Sequence, residues 1–225
     1  MKILAFDTST EYCSVALYLD GKIRKTETLA RHLHSELLLP MIREILDEGG
    51  LELADIDGLA FGAGPGSFTG LRIACGVAQG LAFAASLPVI GISTLEAIAQ
   101  QNTHDKIIVA MDARMGEIYH AAYTRQENNL RTISEPMLCQ PQHAPALPGS
   151  QWIGCGSGFD IYDRVLSECY NQKLVKINYE CYPHAQEIAQ LAAAKAISNF
   201  HTDPVQAAPV YLRNKVALKE SERGK

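Results

Sequence analysis

The hydrophobic and polar positions divide the chain into two passages that begin alike. Residues 3–6 form a short apolar run closed by Asp7, with Thr8, Ser9 and Thr10 as the turn beyond it. Residues 13–19 read as a second strand, Asp20-Gly21 is a hairpin signal, and residues 22–29 alternate in the polar manner of an outer strand. Three antiparallel strands are therefore expected to open the protein. At an offset of 105 positions Ile108-Val-Ala-Met-Asp112 repeats the shape of Ile3-Leu-Ala-Phe-Asp7, and Ala121 and Tyr123 match Ala16 and Tyr18. A glycine turn, a strand over 117–124 and a third strand near 130–134 follow, so the pattern predicts a duplicated three-strand opening.

Helical spacing appears between these passages. Residues 34–48 carry Leu37, Leu38, Leu39, Met41, Ile42, Ile45 and Leu46, an apolar band too wide for one buried face, and Gly49-Gly50 ends the helix. A strand is expected at 56–61, then Gly62-Ala-Gly-Pro-Gly-Ser-Phe-Thr-Gly-Leu-Arg72, then a helix over 71–85 in which Arg72 is the only charge. Gly76 and Gly80 lie one turn apart and let another helix approach closely. Both helices need cover on more than one side, either from a partner helix or from the rest of this chain.

Residues 88–92 read as a buried strand and 94–101 as a short helix. The polar break at 101–105 is the expected domain boundary. Beyond the second meander, Pro136, Pro141, Pro145 and Pro148 mark 136–149 as loop. A strand at 151–155 leads into a second glycine cluster at 154–158. A helix over 159–169, a strand over 173–177 and a helix from Pro183 through 198 follow. The charged stretch 217–225 is expected to be a disordered tail. The lobes are thus 1–104, carrying the partner-binding helices, and 105–216.

Composition adds limits. The 225 residues are 47% hydrophobic and 20% charged, with a net charge of −5, an ordinary globular balance. That balance argues against autonomous high-affinity nucleic-acid binding, which needs a basic face. The apolar start is too short for a signal peptide, no span is expected to reach transmembrane length, and no membrane partner is implied. The six cysteines show no C-x-x-C pair and no zinc spacing, so they read as reduced and the protein as cytoplasmic.

Candidate chemistry centres on the glycine stretch. Ser67 or Thr69 can cap the following helix, and a helix N-terminus attracts anions, so Gly64 and Gly66 are candidates to cradle a phosphate. No Gly-Lys-Ser/Thr follows, so the stretch is not a P-loop, and a tight turn with nothing bound is the competing reading. Asp7 and Asp112 each end a buried strand and either position a metal-bound nucleotide or water, or cap the next turn. Thr8, Ser9 and Thr10 join Asp7 in a candidate nucleotide site. Arg72 and Arg114 stand near enough in sequence to these turns to meet a phosphate, a partner's carboxylate or a surface ion pair. His32 and His34, two apart at a helix start, are badly spaced for a metal and read as solvated or capping. His184 reads as solvent-facing. Ser67 lacks the G-x-S-x-G setting of a nucleophile, and no catalytic residue and no metal site is assigned.

Residues 3–10, Gly64-Pro-Gly-Ser-Phe-Thr-Gly-Leu-Arg-Ile73, residues 88–97, Asp112-Ala-Arg-Met-Gly-Glu-Ile-Tyr119 and Pro209-Val-Tyr-Leu-Arg213 together resemble the bacterial TsaB (YeaZ) family. The resemblance implies an α/β fold of the two-lobed actin/hexokinase-like, duplicated ribonuclease-H-like kind, each lobe opening with a three-strand meander. It also implies a role in making threonylcarbamoyladenosine at position 37 of tRNAs that read codons beginning with A. There the TsaB-type chain pairs with a catalytic TsaD-type paralogue, and a TsaE-type ATPase joins them. Where that paralogue carries metal-binding histidines, this chain has Thr94 and Ile98, which cannot replace imidazole ligands. The resemblance thus implies a noncatalytic scaffold without a cofactor, reaching tRNA only indirectly. Leu38, Met41, Ile42, Ile45, Arg72, Ile73, Gly76, Val77 and Gly80 are its expected partner surface, with a homodimer as another use. An ATP-dependent small-molecule kinase and, more weakly, a metalloprotease are the alternative functions.

Overall fold

The computed structural model describes residues 1–127, 129–195 and 197–213. The tail expected at 217–225 lies outside these residues.

The first sheet has the order β3-β2-β1-β4-β5, built from β1 (Lys2–Asp7), β2 (Tyr12–Leu19), β3 (Lys22–Leu29), β4 (Gly58–Gly64) and β5 (Val89–Ser93). The meander is antiparallel, whereas β4 runs parallel to β1 and β5 parallel to β4. Side chains alternate across a strand, so Leu4 and Phe6 face one layer while Ile3 and Ala5 face the other. Both layers are covered, which explains why β1 and β4 read as unbroken apolar runs.

The Leu4/Phe6 face carries α1 (His34–Gly49) and α2 (Phe68–Ala85). Gly50 in the left-handed region ends α1, and the Ser67 hydroxyl accepts from the Gly70 amide at 3.4 Å to open α2. That cap starts α2 three residues before the expected position, and β4 runs on into the glycine stretch as far as Gly64. The 18 residues of α2 are also long and apolar enough, by mean hydropathy of 1.3, to meet the length test for a membrane span. The expectation that no segment reaches that length is corrected here; the helix lies with Gly70, Leu71, Ala74, Cys75, Ala78 and Ala82 buried on the sheet.

The second sheet has the order β10-β9-β6-β7-β8, from β6 (Lys106–Asp112), β7 (Ile118–Gln126), β8 (Asn129–Cys139), β9 (Trp152–Cys155) and β10 (Leu174–Asn178). It repeats the antiparallel meander and the parallel partner of the first. The strand β8 passes through Pro136, part of the stretch expected to be loop. It is an edge strand, where an absent N–H removes no ladder bond. One face packs on α4 (Ser157–Cys169), through Phe159 and Leu166.

The strands divide at the polar break near residue 104, but the helices do not. The short α3 (Thr94–Gln100), from the first half, buries Leu95, Ile98 and Ala99 against Ile107, Val109 and Met111 of the second sheet. The helix α5 (Ala185–Ala194), from the second half, buries Ile188, Ala189 and Ala192 against the Ile3/Ala5 face of the first. It ends at Ala194, short of the expected 198. The amide of Ala185 donates to Ser14 Oγ at 2.9 Å, pinning the start of α5 to β2. The halves are therefore interlocked by exchanged helices.

Candidate functional site

The end of β1 and the glycine stretch meet without space between them. The Asp7 carboxylate is fully buried; its Oδ2 accepts from the Ser9 amide at 3.0 Å and the Ser9 hydroxyl at 2.8 Å. Its Oδ1 has no hydrogen-bond partner among the described residues and faces Gly62, where an added Cβ would stand 1.8 Å away. Burial pushes this carboxyl up to about 7, against the lowering effect of the two Ser9 bonds. Thr8 Oγ1 donates to the Gly70 carbonyl at 2.7 Å, and the Ser67 amide donates to the Ser9 carbonyl at 2.7 Å. A Cβ at Gly66 would lie 2.6 Å from Ser9 O, and one at Gly70 would lie 1.8 Å from Thr8 O.

These contacts commit Thr8 and Ser9 to the chain's own packing, while Gly66 also lines a pocket with Ser67 and Arg114. The carbonyl oxygens of Thr8 and Ser9 occupy the ground in front of the glycines, and the hydroxyls are already bonded inside the chain. Glycine serves here for close approach of backbone to backbone. Thr10 Oγ1 accepts from the Tyr12 amide at 3.3 Å, closing the same turn. Gly64, at φ +118°, backs onto the Val210 carbonyl, 2.6 Å from where a Cβ would sit.

Asp112 caps its own turn. Oδ1 accepts from the Arg114 amide at 3.0 Å and from the Tyr162 hydroxyl at 3.4 Å, and the Asp112 amide donates to Ser157 Oγ at 3.1 Å. Arg114 is exposed, 3.9 Å from Asp112 Oδ2. His34 is buried rather than solvated or capping, with Nε2 unpartnered among the described residues, while His32 is exposed. His184 is half-buried rather than fully solvent-facing: its Nδ1 lies 3.1 Å from Glu27 Oε2, and the ring is edge-on to Tyr12. Thr94 and Ile98 are fully buried on α3, and Thr94 donates to the Pro65 carbonyl.

The expected partner surface splits in two. Leu38, Met41, Ile42 and Ile45 are at most 7% exposed and share a core with Leu4, Val15 and Leu17, so the first sheet already covers the wide band of α1. On α2, Arg72, Gly76 and Gly80 are exposed and Ile73 and Val77 half-buried. A Cβ on Gly76 or Gly80 would meet nothing within 4 Å. Phe83, 82% exposed, continues the same face.

Sequence reasoning gave no role to the C-terminal strap, residues 204–213, although its aromatic-basic Pro209–Arg213 stretch was visible. The strap lies along α2: Gln79 Nε2 donates to the Ala207 carbonyl at 2.8 Å, and the Val210 amide donates to the Ala63 carbonyl at 2.7 Å. Arg72 sits 3.8 Å from the Phe68 ring centroid and donates to the Tyr211 hydroxyl at 3.2 Å. Arg213 then crosses to the second sheet, donating to the Ala113 carbonyl at 3.0 Å and pairing with Glu117 at 2.7 Å. A pocket of about 290 Å³ lies where strap, glycine stretch and the Asp112 turn meet, lined in part by Ser67, Phe68, Arg114 and Tyr211.

Over residues 27–220 the chain matches the family model described as TsaD, tRNA N6-adenosine threonylcarbamoyltransferase. It is 38% identical to the tRNA threonylcarbamoyladenosine biosynthesis protein TsaB of Escherichia coli K12, with 98% of each chain covered. The chain belongs to the TsaB family. The TsaB of Haemophilus influenzae is 37% identical over 98% of this chain and 97% of its own. The solved structure of YeaZ from Pseudomonas aeruginosa superposes with a TM-score of 0.86 at 38% identity, covering 94% of this chain and 99% of that one. With the two repeated sheets, these likenesses make the fold the α/β, two-lobed, actin/hexokinase-like one.

Proposed function

We propose that this chain is a noncatalytic subunit for threonylcarbamoylation of adenosine 37 in tRNAs reading codons that begin with A. It pairs through α2 with a TsaD-type paralogue, works with a TsaE-type ATPase in the cytoplasm, and reaches tRNA only through the complex. The carrying observation is the pair Gly76 and Gly80. A glycine inside a helix costs about 1 kcal/mol relative to alanine. At Gly62, Gly66 and Gly70 a packed neighbour explains the absent side chain, whereas at Gly76 and Gly80 none of the described residues does. Close approach of another helix supplies the reason, and the flanking Ile73, Val77 and Phe83 supply the apolar contact. The same face serves for a homodimer when the paralogue is absent.

Gly76→Arg or Gly80→Arg should abolish co-elution with the TsaD-type paralogue in size-exclusion chromatography. The isolated chain should melt at the same temperature or slightly higher, because arginine is the better helix former. Reconstituted tRNA modification should need the parent chain and be lost with either variant; retained pairing or retained modification overturns the reading. The close packing of the Thr8 and Ser9 carbonyls on Gly70 and Gly66 speaks against the kinase alternative, and ATP turnover by the chain alone would restore it.

A further inference from the structure

We infer that the partner-facing surface extends off α2 onto the C-terminal strap, whose exposed valines form its second wall. This rests on the α2 reading above. The strap runs antiparallel to α2 along one stripe of the helix, Phe68, Arg72, Cys75 and Gln79. Tyr211 meets the first two, and the Ala207 carbonyl accepts from the Cys75 thiol at 3.3 Å and from Gln79. On the opposite flank Ile73, Val77, Leu81 and Ala85 pack toward the core that α2 shares with α1. Thr69, Gly76, Gly80 and Phe83 are exposed between the flanks among the described residues, and the spacing of 3.6 residues per turn puts them on one strip.

The two glycines form the floor of this strip, so an approaching helix sinks between the flanks and touches both. The strap side offers it apolar surface at Val205, 79% exposed on the 3-10 turn Pro204–Gln206 packed against α2; Val210, 49% exposed, continues the strap toward the pocket by Ser67 and Arg114. The occupant is the corresponding helix of a homologous chain. The family model matched by residues 27–220 takes in α2 itself, so a TsaD-type chain carries the related helix. Because Arg213 ties the far end of the strap to the Asp112 turn, this wall also joins the second lobe to the interface.

The test is titration calorimetry of the full chain against the purified TsaD-type paralogue, with Val205→Asp, Val210→Asp and their double variant beside Gly80→Arg. Both valines are among the exposed apolar residues, so melting temperatures should stay near the parent value. Val205→Asp should weaken pairing by about tenfold or more, and the double variant further, as expected for charge placed in a desolvated contact. If the double variant pairs within about twofold of the parent while Gly80→Arg does not pair, the strap wall is overturned and the α2 reading stands. If Gly80→Arg itself pairs normally, the α2 reading fails, and the strap inference with it.

Discussion

Asp7 and Asp112 occupy matching positions in the two meanders, yet their surroundings differ. Both carboxylates close a turn by accepting an amide two residues on, from Ser9 and from Arg114. Asp7 is fully buried, whereas the Asp112 side chain is 15% exposed. The difference comes from the glycines of each lobe. In the first lobe Gly62, Gly66 and Gly70 press onto Asp7, Ser9 and Thr8 themselves. In the second, Gly156 and Gly158 press onto Ala110, two residues before Asp112, and leave the turn beyond more open. The same local pattern is therefore sealed in one lobe and presented in the other, according to where the next loop lands.

The largest effect should come from breaking the seal. Gly70→Ala places a Cβ against the Thr8 carbonyl with no flexible atom to yield, and should cost about 3 kcal/mol or more in urea unfolding. Gly158→Ala, whose Cβ would stand 2.9 Å from Ala110, should cost about 1 kcal/mol. Equal losses would remove the distinction between the turns.

Charge gives the next test. Burial raises the Asp7 carboxyl from 3.8 to about 7, so between these values the folded chain holds a proton that the unfolded chain releases. Its contribution to stability is fully present below about pH 4 and is lost as pH rises to about 7, on the order of 4 kcal/mol for a shift of this size. Asp7→Asn, which resembles the protonated form, should therefore gain stability over the parent at pH 8, with the gain shrinking toward pH 4. A gain that is the same at both ends, or a loss at pH 8, would show that Asp7 is not buried as described.

The smallest effect belongs to the open turn. Arg213→Ala removes the bonds to Ala113 O and Glu117 and should speed hydrogen exchange of the Glu117 amide roughly fivefold, for a loss of about 1 kcal/mol. The Ser9 amide should be unaffected. If both turns loosen together, the strap supports the whole cleft rather than the second lobe alone.

Much of this was legible beforehand. The duplicated meander, the hairpin at Asp20-Gly21 and the glycine end of α1 follow from local rules, and each appears in the structure. Leu38, Met41, Ile42 and Ile45 are covered by the first sheet, which the sequence did not show because a wide apolar band tells that a helix is buried, not by what. Strap and α2 are more than 120 residues apart in sequence, so no local pattern links Gln79 to Ala207. His34 and His184 were misjudged for the same reason: a polar residue near a helix start is solvated unless another element arrives to cover it.

By itself the sequence determined the strands, the helices and the existence of two related halves, because periodicity and turn chemistry act within a few residues. It also marked Gly76 and Gly80 as places for close approach. Only the tertiary structure decided that the glycine stretch is filled by the chain's own carbonyls and that α3 and α5 are exchanged between the sheets. It also decided that one face of α2 is left uncovered by the described residues. Burial depends on which distant surfaces meet, and a face becomes available only when every other element has taken its place.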